Sequence, residues 1–222
     1  MDNKPAKNWI SLAALMAVCL IAPALLTSCE NLGSGGYGPG TGHFATVVVD
    51  AGHGGHDNGA RAASGAHEKM LALDTARRVA ANLRGRGFHV IETRTGDYFV
   101  PLGVRADASN RTNSSIFVSI HYNWSRRRSA RGIEIFYNGP RSMRLAANIL
   151  RDSSRAYRTA NRGVKFGRFH VLRNNRRPAV LCELGFISNG SENSSIQSAS
   201  TRQALADRVA AGIAAEQSGR QP

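Results

Sequence analysis

Three β-branched or apolar runs in this chain each lead into a side chain able to bind a metal or move a proton. Residues 46–50 run through Ala51-Gly52 into His53, residues 115–120 end in His121, and residues 179–182 end in Glu183. Glu68 opens a fourth stretch with apolar residues at helical spacing. Two imidazoles and one carboxylate suffice for a catalytic zinc, leaving a fourth position for water whose pKa the metal lowers to about 7. A second carboxylate outside the ligand set can take the water's proton, and Glu183 suits that role. The separations between His53, Glu68 and His121 match no short signature of the HExxH kind. His56, Asp57 and His67 lie close enough to compete, and a strand–Gly–His–Gly turn also describes a solvated imidazole.

The surrounding pattern determines whether these groups can meet. Strands are expected over residues 46–50, 88–93, 115–121, 132–137 and 179–183. A helix is expected from about 67–68 to Gly85, with Ala72, Ala76, Val79, Ala80 and Leu83 on one face and Gly85 and Gly87 ending it. A short helix over 101–113 accommodates Pro101 in its first turn, where its missing N–H costs nothing. Another spans 142–157, with Leu145, Ile149 and Leu150 inward and Arg144, Arg151 and Arg155 outward. A closing helix over 201–217 uses Leu205, Val209 and Ile213. Alternating strands and helices imply one α/β domain: a central, twisted, mostly parallel sheet of about five or six strands with helices on both faces. Parallel neighbouring strands would bring their C-terminal ends to one rim, where open α/β sheets bind ligands, and a helix leaving that rim would start Glu68 there too.

The chain has 222 residues and a formal net charge of +14. That length suits one domain with appendages, and that charge implies anionic company. Lys4 and Lys7 precede an apolar run from Trp9 to Leu26, which ends in Leu26-Thr27-Ser28-Cys29. This is the layout of a secretory signal, and it resembles a bacterial lipoprotein signal in which the closing cysteine is lipidated; the competing reading is a plain transmembrane anchor, since the run approaches spanning length. On the lipoprotein reading residues 1–28 are the signal, 29–43 comprise lipidated Cys29 and a Gly/Ser/Pro-rich tether, 44–218 form the folded domain, and 219–222 are a tail. In the Gram-negative lipoproteins that this signal resembles, an aspartate after the cysteine would favour inner-membrane retention, so with Glu30 there the resemblance implies a periplasmic protein lipid-anchored to the outer membrane. Removing residues 1–28 takes away two lysines and one aspartate, so the basic balance stays with the exported domain. Export argues for a cell-envelope polymer and against nucleic acid as partner. Cys182 then has no intramolecular partner and packs as a small apolar group.

Four segments, in order and at family-like intervals, resemble the zinc-dependent N-acetylmuramoyl-L-alanine amidases: VVVDAGHGGHDNGA, HEKMLALDTARRVAANL, SSIFVSIHYN and RPAVLCELGFISN. The similarity runs from about Thr46 to Ile213 and includes Thr93-Arg94, Leu102, Arg105, Asn110, and residues 161–165 and 171–174. It implies His53, Glu68 and His121 as ligands of one zinc ion, and Glu183 as the catalytic carboxylate. The implied reaction is hydrolysis of the amide between the lactyl group of N-acetylmuramic acid and L-alanine in peptidoglycan. Ser115 departs from the aspartate usual in the family before the third strand, and Arg176-Arg177 makes the approach to the last strand unusually basic. Some relatives carry a long blocking insertion after the third strand. Here only residues 124–131 intervene, which implies a site open without an activator, in a monomer.

Stem peptides carry free carboxylates, and guanidinium groups suit them. Arg126, Arg127, Arg128 and Arg131 follow His121, and Arg168, Arg173, Arg176 and Arg177 precede Glu183; Arg173 and Asn174 are the expected substrate contacts. The competing reading is an envelope lipoprotein that holds peptidoglycan without cutting it.

Overall fold

The computed structural model describes residues 40–62, 64–219 and 222. The expected signal, with Cys19 and Cys29, and most of the tether lie outside them. Among the described residues no helix is long and apolar enough to cross a membrane.

Among the described residues six strands form one sheet in the order β2-β1-β3-β6-β4-β5. They are β1 (Thr46–Ala51), β2 (His89–Glu92), β3 (Ser115–Asn123), β4 (Ile133–Tyr137), β5 (Asn161–Phe166) and β6 (Ala179–Phe186). All pairings are parallel except β4 with β6, which is antiparallel. The helices are α1 (Glu68–Gly85), α2 (Leu102–Asn110), α3 (Met143–Ser153), α4 (His170–Arg173), α5 (Gly190–Gln197) and α6 (Ala199–Gln217). β1, β3 and β6 are adjacent and parallel, as the convergence of their ends requires.

The two faces of the sheet are unequal. Val47, Val49 and Ala51 of β1, Ile116, Val118 and Ile120 of β3, and Val180, Cys182 and Leu184 of β6 join the larger apolar cluster, which α1, α3 and α6 cover. The alternate residues Val48, Phe117, Ala179 and Leu181 meet only Val171 and Leu172 of α4 and a few half-buried neighbours, Ala108 of α2 among them. Because side chains alternate with a period of two, Asp50, Ser119, His121 and Glu183 belong to this thinly covered face. Cys182 is a free, fully buried cysteine in the larger core, and burial pushes its thiol pKa up.

Several boundaries differ from expectation. β5 and the short α4 and α5 lack an apolar period long enough to read, and β5 is an edge strand with mostly polar, half-exposed residues. α2 stops at Asn110 and α3 at Ser153, while β3 and β6 run on to Asn123 and Phe186.

Thr41, expected in the tether, belongs to the folded body, because its N–H and hydroxyl donate to Glu216 Oε1 at 2.9 and 3.0 Å. Arg144, expected to face outward, turns under α3 and donates to Glu216 Oε2 at 2.9 Å, beside Asn148 at 3.0 Å. Burial alone would raise the pKa of Glu216, but these donors outweigh it and hold it below its ordinary value of 4.5. A depressed carboxyl stabilises the fold above its unfolded pKa, and that contribution vanishes as pH falls through the folded value. Glu216→Gln should therefore lower stability by about 2–3 kcal/mol at pH 7, the scale of hydrogen bonds to a charged group. In denaturant titrations at stepped pH, the gap from the parent should close below about pH 4; a gap independent of pH would contradict this.

Candidate active site

The turn after β1 is held by two buried arginines. Arg105, 2% exposed, donates to Asp50 Oδ1 (2.8 Å) and to the carbonyls of Ala51 (2.6 Å), His53 (2.6 Å) and Val100 (2.9 Å). Arg94, 1% exposed, donates to the carbonyls of Ala51, Gly52, Lys69 and Gly96 at 2.6–3.0 Å. Asp50 also accepts from the Thr93 hydroxyl (2.5 Å) and the Ser119 hydroxyl (2.6 Å). This network stabilises an unusual backbone: His53 itself, and not only the glycines after it, lies in the left-handed region at φ 60°.

Held this way, His53 meets Glu68 and His121. Glu68 Oε1 lies 3.1 Å from His53 Nε2 and 2.9 Å from His121 Nδ1, and it accepts the Tyr122 N–H at 3.1 Å. Its other oxygen accepts the Ala60 N–H at 3.0 Å. The ligand-capable atoms of the three residues all lie within 4.8 Å of one another. Two glycines leave room for this packing. A Cβ on Gly52 would stand 2.3 Å from the His121 ring, and one on Gly59 would stand 2.6 Å from His53 and 2.8 Å from Glu68.

Burial alone would raise Glu68, but its bonds to His121 and His53 dominate and hold it far below the usual carboxylate range. An ionised carboxylate between two imidazoles is a donor set that suits zinc. Asp57, by its place in the sequence only a competitor for the site, accepts from His53 Nδ1 at 2.9 Å. That bond fixes the ring so that Nε2 faces Glu68, the usual work of a carboxylate behind a metal-binding histidine. Its position four residues after His53 was the available signal.

Glu183 sits beside His121, its register partner across β3 and β6. Its Oε2 is sealed from solvent and has no hydrogen-bond partner. Burial, then the charges of Glu68 and Glu134, push its pKa well above the ordinary value. A buried carboxylate atom without a partner is costly, so its persistence here points to chemistry. A cleft of about 270 Å³ opens at the histidines, lined by His53, Asp57, Arg105, His121 and His170, with Phe99, Val100, Leu102, Phe169 and Val171 as an apolar wall; Glu183 lies beside His121 and does not itself line it.

The other expected residues do not join the cluster. His56 stacks on Phe99 with centroids 4.1 Å apart, and His67 precedes α1 with its Nδ1 buried and unpartnered. Asn174 bonds the His170 ring at 2.8 Å, and Arg173 is exposed at the end of α4; neither lines the cleft. Arg128 is tied to Ser188 O at 3.3 Å, and Arg177 bonds Asn113 at 3.0 Å.

Replacing Arg105 with lysine keeps the charge but removes the fork that grips Asp50, Ala51 and His53 together. Metal affinity, read by competition with a chromophoric chelator, should fall about 10–100-fold, the usual cost of losing a ligand's support. Unchanged affinity would mean that the turn holds His53 without it.

Residues 47–215 match the family model described as N-acetylmuramoyl-L-alanine amidase. Among curated relatives, the N-acetylmuramoyl-L-alanine amidase LytC of Bacillus subtilis is 33% identical over 168 residues, which span 74% of this chain and 34% of LytC. The Bacillus subtilis protein YqiI, itself uncharacterised, is 37% identical over 76% of this chain and 82% of its own length. The catalytic domain of CwlV, an N-acetylmuramoyl-L-alanine amidase from Bacillus (Paenibacillus) polymyxa var. colistinus, superposes with a TM-score of 0.74 at 33% identity, covering 77% of this chain and 96% of that domain. AmiC2 of Nostoc punctiforme gives a TM-score of 0.74 at 34% identity, over 80% and 97%. With the family model matching residues 47–215, and His53, Glu68 and His121 gathered at the rim of the sheet with Glu183 beside them, the chain belongs to the family of N-acetylmuramoyl-L-alanine amidases.

Proposed function

We propose that this chain hydrolyses the amide between the lactyl group of N-acetylmuramic acid and L-alanine in peptidoglycan, using zinc held by His53, Glu68 and His121. The observation carrying this reading is the buried, ionised Glu68 drawn between two imidazoles, with the unpartnered Glu183 alongside. When bound, zinc polarises the scissile carbonyl and activates water. Glu183 accepts the proton of the attacking water and passes it to the departing amine; its raised pKa suits a group that must do both near neutrality. Asp57 keeps the His53 ring in the ligating orientation, and the apolar wall from Phe99 to Val171 screens the reacting carbonyl from bulk water. Arg173 and Asn174 would meet the peptide only at the outer lip, with His170 the nearer group.

On this reading the protein is exported, lipidated at Cys29 and held at the outer membrane, acting as a monomer on periplasmic peptidoglycan in wall remodelling or daughter-cell separation. No residue of the connection between β3 and β4 lines the cleft, which supports a site that needs no activator. Incubating the purified chain with sacculi should release peptides beginning with L-alanine, detected by mass. A chelator should stop the release and added zinc should restore it, with no second protein present. Binding to sacculi without release would favour a non-catalytic peptidoglycan binder.

A further inference from the structure

The face of the sheet that carries Glu183 continues onto β4 and β5, where the proposed reaction uses nothing. Glu134 stands opposite Glu183 in the antiparallel register of β4 and β6. It is 5% exposed and closely partnered: Oε2 accepts from Arg162 Nε at 2.7 Å and from Lys165 Nζ, and Oε1 accepts from Asn123 Nδ2 at 2.7 Å. Burial alone would raise its pKa, but Lys165 and Arg162 outweigh it and keep Glu134 ionised.

One buried anion therefore pins two cations, whose side chains stay 36% and 38% exposed, and one positive charge is left over. Arg162 is further held over the Phe186 ring, its Cζ 5.0 Å from the centroid, and Lys165 sits 6.0 Å from the Phe136 centroid. Cations restrained in this way lose little freedom when they bind an anion. Their heads lie over β4, one strand from Glu183, or about 5 Å across the sheet. The second residue of an extended peptide lies about 7 Å from the bond being cut, within reach of them.

We propose that Arg162 and Lys165, held by Glu134, form a subsite for a free carboxylate on the second residue of the stem peptide, so that the chain distinguishes this acid from its amide. The proposal rests on the amidase reading of the neighbouring site. A phosphate-bearing wall polymer could supply a similar anion, and the test separates the two.

The probes are N-acetylmuramyl-L-alanyl-D-glutamate and its D-isoglutamine counterpart, each with the γ-carboxyl blocked as the methylamide, so that the acid carries one free carboxylate on its second residue and the amide none. Calorimetry on the zinc-loaded full chain carrying Glu183→Gln should show the acid bound about tenfold tighter than the amide, the low end for a charged hydrogen bond. Adding Lys165→Met should bring that ratio near one while leaving affinity for the amide unchanged, and Lys165→Arg should restore it. Arg162→Lys, which leaves Glu134 paired, should lower the ratio severalfold and serves if the methionine variant folds poorly. An equal ratio with and without Lys165 would overturn the proposal. So would displacement of the acid by inorganic phosphate at the same concentrations that displace it with free peptide. Turnover of both probes by the parent chain is read separately: its absence would count against the amidase reading, while the binding ratio still decides the subsite.

Discussion

Glu183→Gln should lower kcat on muramyl peptides by about 10³-fold, within the range for removing a general acid–base group, while metal content stays the same. The glutamine is isosteric and lies outside the His53–Glu68–His121 cluster, so the ligands keep their places. It cannot take a proton from water. The same substitution should stabilise the metal-free chain. A carboxyl whose folded pKa lies above its unfolded value carries no penalty below that unfolded value. The penalty grows as pH rises towards the folded pKa and then stays constant. Glu183 is such a group, so the Tm of the variant should exceed that of the parent at pH 7–8 and match it near pH 4. Opposite signs for activity and stability mark a residue kept for function. Retained turnover would remove Glu183 from the mechanism, and a fall in stability with activity intact would make it a packing residue.

Glu68→Gln should have a comparable effect through a different route. Glu68 is the only anion among the three ligand-capable residues, and one of its oxygens faces both imidazoles. An amide there has no charge to offer a divalent cation and turns either a weak acceptor or an N–H₂ donor toward His53 and His121. Zinc content after dialysis should drop from about one per chain to near zero, and turnover should fall with it to the level of the chelated parent. Tyr122 and Ala60 still need acceptors for their N–H groups, so some loss of stability should accompany the change. A glutamine variant that kept its zinc and its activity would show that the metal is held elsewhere.

Much of this architecture was legible in the sequence because two periods agree with it. The β-branched runs ending near Asp50, Ile120 and Cys182 are parallel neighbours, and the helical spacing from Ala72 to Leu83 places Glu68 at the first turn of α1. Edge and capping elements were not legible. β5 carries Arg162, Gly163 and Lys165 on a half-exposed strand with no alternation to read, and α4 is a single turn. At the site, the identity of the ligand-capable trio came from resemblance and not from spacing, since residues 15 and 53 positions apart carry no local signal. What the sequence hid was the support. Arg94 and Arg105 entered only as residues of the family resemblance, with no role attached; both are buried beneath the His53 turn because carbonyls with no ladder partner need donors there. Glu134 was invisible for the related reason that its partners, Arg162 and Lys165, lie on the strand that could not be read.

X-ray absorption at the zinc edge of the loaded chain should show one zinc per chain in a shell of nitrogen and oxygen with two imidazoles, and the Glu68→Gln variant should lack that shell. Zinc bound through sulfur, or an unchanged spectrum without Glu68, would contradict a metal held by His53, Glu68 and His121.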